Sequence, residues 1–442
     1  MKVSETKQTP REITLYLLSR VEQRGAFVDR ILDTALVRKL EQRDRLFIRE
    51  LLLGVMRQKL RLDRIIETYY AKDINNLEPE ILNILRLGLF QILFMNSVPD
   101  WAAVNESVRL ASDSRGKGAA GLVNALLRRF LREGEPPLPE NSIEKISIET
   151  SHPLWLAKKW AAFYGEETAE SICRAGNEKH PVFIRTQTIR ISPDELASRL
   201  AGEDFEVNAD LVFPGYLMVP KGNGLFETDA FREGLFTVQD PSAGMASELL
   251  APHTGESVVD LCAAPGGKST HCAEIMNDCG SVVAVDRHVR RLGLVRETAR
   301  RLGLTSITCI QSDARTYGNG GNIQYDRVLL DAPCSGTGVF SKRLDMRWHL
   351  CEEDIKRLVS VQRDLLNSAV HLVKPGGVLV YSTCSLEPEE NEDNVAWFLD
   401  SHDDFTLEND ARFIDFKGER GYIILPHRMN GIGAFASKLK RI

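Results

Sequence analysis

From residue 257 onward the chain alternates between two kinds of segment. Short runs rich in β-branched residues (Ser257-Val-Val-Asp-Leu261, Ser281-Val-Val-Ala-Val285, Ser306-Ile-Thr-Cys-Ile310, Arg327-Val-Leu-Leu330 and Val378-Leu-Val-Tyr381) are separated by helical stretches near 268–277, 287–302 and 353–373. Apolar strands joined by helices form a parallel sheet with both faces covered, because parallel neighbours need long crossovers. A doubly wound α/β domain is therefore expected over residues 237–442, with Ile423–Leu425 and Gly433–Leu439 completing the sheet. Ligands of such sheets bind beyond the carboxyl ends of the strands. The residues just after each run are where chemistry should be sought.

The rest of the chain reads differently. Residues 1–135 keep returning to i, i+3, i+4 apolar spacing and predict an all-helical domain. Its stripes are Ile13, Tyr16, Leu17 and Val21, then Leu46, Ile48, Leu51, Leu52, Val55 and Met56, then Leu126, Leu127, Phe130 and Leu131 opposite Arg128, Arg129 and Arg132. The run Ile81–Phe94 is interrupted by Asn83, Arg86 and Gln91, which suits a buried bundle helix and falls short of a membrane span. Pro99 opens a further helix and Gly116–Gly121 reads as a bend. Pro136, Pro137 and Pro139 mark a linker, taken as 136–150. A small α+β module occupies 151–236, with strands at Val182–Thr186, Leu211–Phe213, Tyr216–Val219 and Leu235–Val238.

Composition narrows the function classes. With 442 residues the chain exceeds one core, so several domains are expected, and 27% charged residues describe an ordinary globular protein. The eight cysteines include no C-x2-C pair, so neither a zinc ribbon nor a thioredoxin-like site is expected, and no metal is. A cytoplasmic setting is expected, with reduced thiols, no membrane association and a monomeric state. The net charge of -6 hides an asymmetry: residues 1–135 hold 23 Lys+Arg against 18 Asp+Glu, a surplus that could face a polyanion or belong to a solvated helical surface.

Three stretches after strands carry candidate chemistry. Asp260-Leu-Cys-Ala-Ala-Pro-Gly-Gly-Lys268 leaves a strand and opens a helix, and its small residues let backbone approach a ligand. A phosphate loop would need glycine at 262, where this chain has Cys262, and G-x-G-x-x-G is absent. Asp286 ends the next strand, where a carboxylate accepts ribose hydroxyls, and Asp313 follows the third, where it could accept an adenine amino group; a helix N-cap is the alternative for either. A ligand with adenosine but no phosphates fits, and S-adenosylmethionine is the obvious candidate. Cys334, in Asp331-Ala-Pro-Cys-Ser-Gly-Thr-Gly338, and Cys384, in Tyr381-Ser-Thr-Cys-Ser-Leu-Glu-Pro-Glu-Glu-Asn-Glu392, both follow strand-like runs. A lone cysteine there would be read as core; two in matching places point to reactive thiols.

These motifs together resemble the RNA (cytosine-5) methyltransferases. The helical start, with Pro99-Asp-Trp-Ala-Ala-Val-Asn-Glu106 and Val123-Asn-Ala-Leu-Leu-Arg-Arg129, looks like the NusB-like domain of the Sun/Fmu (RsmB-type) branch, the bacterial 16S rRNA methyltransferases. Gln239-Asp-Pro-Ser242 fits as well, and the resemblance covers nearly the whole chain. One stretch departs, Asn430-Gly-Ile-Gly-Ala-Phe435, where the family usually has an Asp-Gly-Phe-Phe-like segment. The resemblance implies a NusB-like RNA-binding domain at 1–135 and an S-adenosylmethionine-dependent methyltransferase domain at 237–442. It implies cofactor contacts from Cys262, Ala263, Ala264, Pro265, Gly266, Gly267, Lys268, Asp286, Asp313 and Asp331. It further implies Cys384 as nucleophile, Cys334 as an aid to product release, and as target one cytosine of 16S rRNA, cytosine 967.

The chemistry asks for such residues. Cytosine C5 is a poor nucleophile until a thiolate adds at C6, dividing one difficult step into easier ones. Lys268, Lys342 and Arg347 are candidate positive neighbours for that thiolate, and Asp331 could donate a proton to cytosine N3 if its carboxyl were neutral. Arg343, Arg347 and Trp348 are candidates for phosphate and stacking contacts, with an ordinary charged loop as the alternative. Two other functions compete: cytosine-5 methylation of tRNA or 23S rRNA, and a non-catalytic RNA-binding assembly factor built on a methyltransferase fold.

Overall fold

A computed structural model of the chain describes residues 8–442 except 25–27, 211, 319–320 and 322. These fall into two compact units. The first runs to Asn177 and also takes in Arg343–His349; the second comprises Glu178–Lys342 and Leu350–Ile442.

The first unit is helical, as the periodicity requires. Helices Pro10–Arg24, Gln42–Arg57, Lys59–Tyr69, Pro79–Phe94 and Asp100–Glu133 bury Leu17, Ile48, Leu51, Leu52, Leu62, Ile66, Ile84, Leu85 and Leu127 in one core. Three residues assigned to core stripes lie outside it, since Tyr16, Leu46 and Leu131 are exposed. The bend expected over Gly116–Gly121 is a single non-helical residue, Gly116, within a helix that otherwise continues to Glu133. The polar interruptions of Pro79–Phe94 form an internal network: Arg86 donates to Asp63 (2.6 and 2.8 Å), to Glu22 (2.7 Å) and to Asn83 (2.9 Å). Part of the expected linker is ordered helix, Ser142–Thr150, whose N-terminus is capped by the Asn141 side chain.

Residues 343–349 belong to this helical unit, which corrects the reading of Arg347 and Trp348 as RNA contacts. Arg347 is 1% exposed, and its guanidinium donates to Ser151 O (3.3 Å), Asn177 Oδ1 (2.8 Å) and Gly176 O (2.8 Å). The Trp348 indole donates to Met56 O (3.0 Å) under the Lys59 ammonium. A basic, aromatic stretch here caps helix carbonyls instead of meeting phosphate. Arg343 is exposed.

The second unit contains two sheets. The smaller is antiparallel, in the order β2 (Asn208–Ala209), β3 (Tyr216–Val219), β1 (Val182–Thr186), β4 (Phe236–Val238). Leu211 lies outside the described residues, and the remainder of the expected strand 211–213 is a bend. Asp210 Oδ1 accepts from the amides of Val212 and Phe213 at 2.8 Å, so an Asx turn curls the chain while still burying Phe213.

The larger sheet has the order β10–β12–β9–β8–β5–β6–β7, with β11 on β12. Its strands are β5 (Ser257–Asp260), β6 (Ser281–Asp286), β7 (Ile307–Gln311), β8 (Tyr325–Asp331), β9 (Val373–Thr383), β10 (Phe405–Leu407), β11 (Tyr422–Ile424) and β12 (Ala434–Arg441). Strands β5 to β9 pair in parallel, whereas β10, β11 and β12 are antiparallel additions. The strand order reverses at β5, so the crevice of the doubly wound sheet opens where β5 and β8 end. The departing segment Asn430–Phe435 still delivers β12 onto β9, with Phe435 opposite Thr383.

The two sheets are tied by a buried arginine. Arg185 of β1 is 3% exposed and donates to Glu274 (2.7 and 2.9 Å), Thr270 Oγ1 (3.1 Å), Gly267 O (2.9 Å) and Gln239 Oε1. It thereby grips the helix Gly267–Ile275 that follows β5. Removing one member of a buried ion pair strands the other charge, at about 3–5 kcal/mol. Arg185→Leu should lower unfolding stability by about that much, and Arg185→Leu/Glu274→Leu should recover a substantial part. Denaturant melts of the two variants check both values.

Candidate active site

The site follows from one register. In the parallel pair β8/β9, Asp331 stands opposite Ser382, and Ala332 N–H donates to Ser382 O at 2.9 Å. Both chains then turn within a few residues, so Cys334 and Cys384 leave the sheet side by side. Their Sγ atoms are 3.2 Å apart, and Cys334 Sγ also accepts from Cys384 N–H (3.3 Å). Both are half-buried and free of disulfides. Gly338 permits this closeness: a Cβ there would sit 2.4 Å from Gly433 O and 2.9 Å from Cys384 O. Its amide donates to Cys384 O (3.0 Å), and its carbonyl accepts from Gly433 N–H (2.8 Å). Thus Gly433 of the departing C-terminal stretch packs against the Cys384 turn, while Ile432 N–H reaches Asp240 Oδ2 (3.2 Å).

A lysine completes the cluster. Lys268 Nζ lies 2.7 Å from Asp331 Oδ2, and Ser382 Oγ donates to Asp331 Oδ1 at 2.9 Å. Burial alone would lower the Lys268 ammonium; Asp331, then Cys384 and Asp260, outweigh it and hold the pKa above its ordinary value. Of the three cations named for the thiolate, Lys268 is the one that acts on Cys384. Lys342 pairs with Asp240 (3.1 Å), and Arg347 belongs to the helical unit. The hydrogen bond with Cys384, followed by burial, pushes the Cys334 thiol well up.

The loop after β5 is built for close approach. Residues 261–266 turn on Gly266, at φ +108°, where a Cβ would meet Val295 Cα at 3.0 Å; the Ala264–Pro265 bond is cis. Cys262, Ala263, Ala264, Pro265, Gly266 and Gly267 line this turn, and Lys268 rises from the first turn of the following helix. Burial pushes the Cys262 thiol up. Asp286, buried at the end of β6, accepts from His288 N–H (2.8 Å), with Arg291 3.4 Å away. Asp313 is half-buried past β7; hydrogen bonds from Arg315 lower its pKa to about 2. Among the described residues no cluster of three or more His, Cys, Asp and Glu side chains could hold a metal, and no helix is long and apolar enough to cross a membrane.

Sequence reasoning missed several residues here. Arg185 and Glu274 show only as isolated charges in the sequence. Gln362 donates to Pro333 O and to Glu390 Oε1, both at 2.9 Å, and Glu390 reads there as one acid among many. A proline followed by Glu-Glu-Asn directly after a cysteine turn was the available signal for Glu390.

A family described as 16S rRNA methyltransferase RsmB/F matches residues 247–440, the NusB family matches 8–132, and an RsmF/B-like ferredoxin-like domain matches 152–222. The probable ribosomal RNA small subunit methyltransferase B of Bacillus subtilis is 35% identical over 98% of this chain and 99% of its own. The Synechocystis protein of that name is 36% identical over the same shares. A solved methyltransferase homolog from Pyrococcus horikoshii is 29% identical, covers 69% of this chain and all of its own, and superimposes with a TM-score of 0.61. The chain belongs to the ribosomal RNA small subunit methyltransferase B family.

One buried acid gives a pH test of the site. Burial raises Asp260 to about 7, although Ser269 donates to it at 2.6 Å. The folded protein therefore holds a proton that the unfolded chain releases near pH 4, so stability falls as pH climbs from there towards 7. Asp260→Asn has no such proton. Relative to wild type, its melting stability should improve by on the order of 2–3 kcal/mol between pH 5 and 7, then level off. Calorimetric melts of the cofactor-free protein at pH 5, 7 and 8 check this.

Proposed function

We propose that the chain transfers a methyl group from S-adenosylmethionine to C5 of one cytosine in 16S rRNA, with Cys384 as nucleophile and Cys334 as the releasing group. The observation that carries this reading is the pair of thiols 3.2 Å apart at the ends of adjacent parallel strands, with Lys268 acting on Cys384. The substrate comes from relatives named ribosomal RNA small subunit methyltransferase B, and cytosine 967 is the target that the resemblance implies. The expected setting is the cytoplasm, with the helical unit and the small α+β module as RNA-contacting parts.

The residues fit S-adenosylmethionine. The loop 261–267 offers small side chains and no phosphate-loop glycine at 262, while Asp286 and Asp313 end neighbouring strands as acceptors for ribose hydroxyls and an adenine amino group. Cys262 to Lys268, Asp286, Asp313 and Asp331 would hold the cofactor. When bound, it supplies the methyl group as an electrophile.

The chain's own residues do the rest. Cys384 Sγ, as thiolate beside Lys268, bonds to cytosine C6, and the ring electrons shift so that N3 takes a proton. The Lys268–Asp331 pair serves that proton; Asp331 accepts from both Lys268 and Ser382, so the ammonium is the member that donates. C5, now electron-rich, takes the methyl group. The C5 proton then leaves to water with the Cys334 thiol as hydrogen-bonding relay, N3 returns its proton to Lys268, and the Sγ–C6 bond breaks to return the Cys384 thiolate. The target base reaches the thiols unpaired or flipped from its stack.

Two variants test the assignment. Cys384→Ala should abolish methyl transfer to unmodified small-subunit rRNA, measured with labelled cofactor; retained turnover would remove the nucleophile role. Cys334→Ala should accumulate a covalent RNA–protein adduct that survives denaturing electrophoresis, and absence of that band would remove its release role. Bisulfite sequencing of rRNA from a strain lacking the protein should show one lost 5-methylcytosine in 16S rRNA, whereas a loss in tRNA or 23S rRNA would reassign the substrate.

A further inference from the structure

Glu390 lies within an acidic run that would ordinarily be a solvated face, yet it is 0% exposed. Its Oε1 accepts from Ser335 N–H (2.9 Å) and Gln362 Nε2 (2.9 Å). Its Oε2 accepts from the Ser385 hydroxyl (2.5 Å) and from the Ser335 hydroxyl. Ser335 follows Cys334, and Ser385 follows Cys384. One carboxylate thus grips the residue after each cysteine.

Glu390 is itself held in place. Its carbonyl accepts from Tyr381 O–H (2.6 Å), and the neighbouring Asn391 accepts from Thr383 Oγ1 (2.6 Å) while donating to Ser385 O (2.9 Å). Burying a carboxylate is expensive unless its lone pairs are met. Here four donors converge on it from three elements, more than closing a turn requires.

We propose that Glu390 is a positioning residue for the two-cysteine reaction, tying Ser335 and Ser385 to one carboxylate and so setting the approach of Cys334 Sγ to Cys384 Sγ. The assignment rests on the function proposed above. The negative charge of Glu390 also contributes to holding the Cys334 proton, after the Cys384 hydrogen bond and burial. The same residue therefore sets the distance between the thiols and favours the protonated form of Cys334.

The test has a thiol arm and a turnover arm. Phenylarsine oxide bridges two adjacent thiols: two As–S bonds form, and the arsenic oxygen leaves as water with both thiol protons. Wild type should take up one reagent at this pair by intact mass, and Cys334→Ala should lose that uptake. Glu390→Gln keeps the shape and one acceptor oxygen, so it should melt as wild type does yet be bridged at least about tenfold more slowly. In methyl transfer the same variant should lose about 10–100-fold in kcat, the scale expected for a misplaced reacting group, with KM for RNA and cofactor within about twofold. Glu390→Ala should lose more. Wild-type bridging and wild-type kcat in folded Glu390→Gln would overturn the proposal, as would a kcat loss that merely tracks a lowered melting temperature. Slow bridging of Glu390→Gln, in a wild type that transfers no methyl group, would support Glu390 as what sets the thiol approach while refuting the methyl-transfer reading.

Discussion

The parallel pairing of β8 with β9 is the constraint from which the site follows. Opposing Asp331 with Ser382 fixes where each chain leaves the sheet, and both turns must then share a small volume. Everything nearby answers that crowding: glycine at 338, hydroxyls at Ser335, Thr337 and Ser385, and a carboxylate from the next helical turn. A one-residue slip would exchange the faces of β9 and carry Cys384 away from its partner. The geometry of the two thiols is thus inherited from backbone hydrogen bonds more than from contacts between the cysteines.

Most of the large sheet was legible because its strands are buried on both faces and read as unbroken apolar runs. The cysteine turns and the loop after β5 were legible for a related reason, since short residues packed after a strand have few other uses. What escaped is polar and non-local. Arg185 finds Glu274 almost ninety residues away, across two sheets, and no periodicity encodes that meeting. Arg347 and Trp348 have the composition of a nucleic-acid contact, but their hydrogen bonds go to backbone carbonyls of the helical unit. Glu390 was hidden by its neighbours, because one buried acid in a run of exposed ones leaves no compositional trace. The misreading of Val212 and Phe213 is local: Asp210 accepts from both their amides and converts a strand signal into a turn.

Electrostatics in the site are arranged as unequal partners. Asp331 holds Lys268 charged, and the hydrogen bond with Cys384 together with burial pushes the Cys334 thiol up. Pairs of chemically identical groups can take different roles only if their surroundings separate them. Here Cys334 Sγ takes the Cys384 amide in addition to the 3.2 Å thiol contact.

The membership of residues 343–349 in the helical unit bears on how the chain is made. The carbonyls of Ser151 and Gly176 receive their guanidinium donor from a residue 196 and 171 positions later. During synthesis the first unit is therefore incomplete until more than three quarters of the polypeptide has left the ribosome. Contacts of such long sequence separation are slow to close, so the nascent helices must wait, with those carbonyls still solvated, while the Cys334 turn and the strands before it are being laid down. A fragment ending at residue 177 would keep the helices but lack the plug that finishes them.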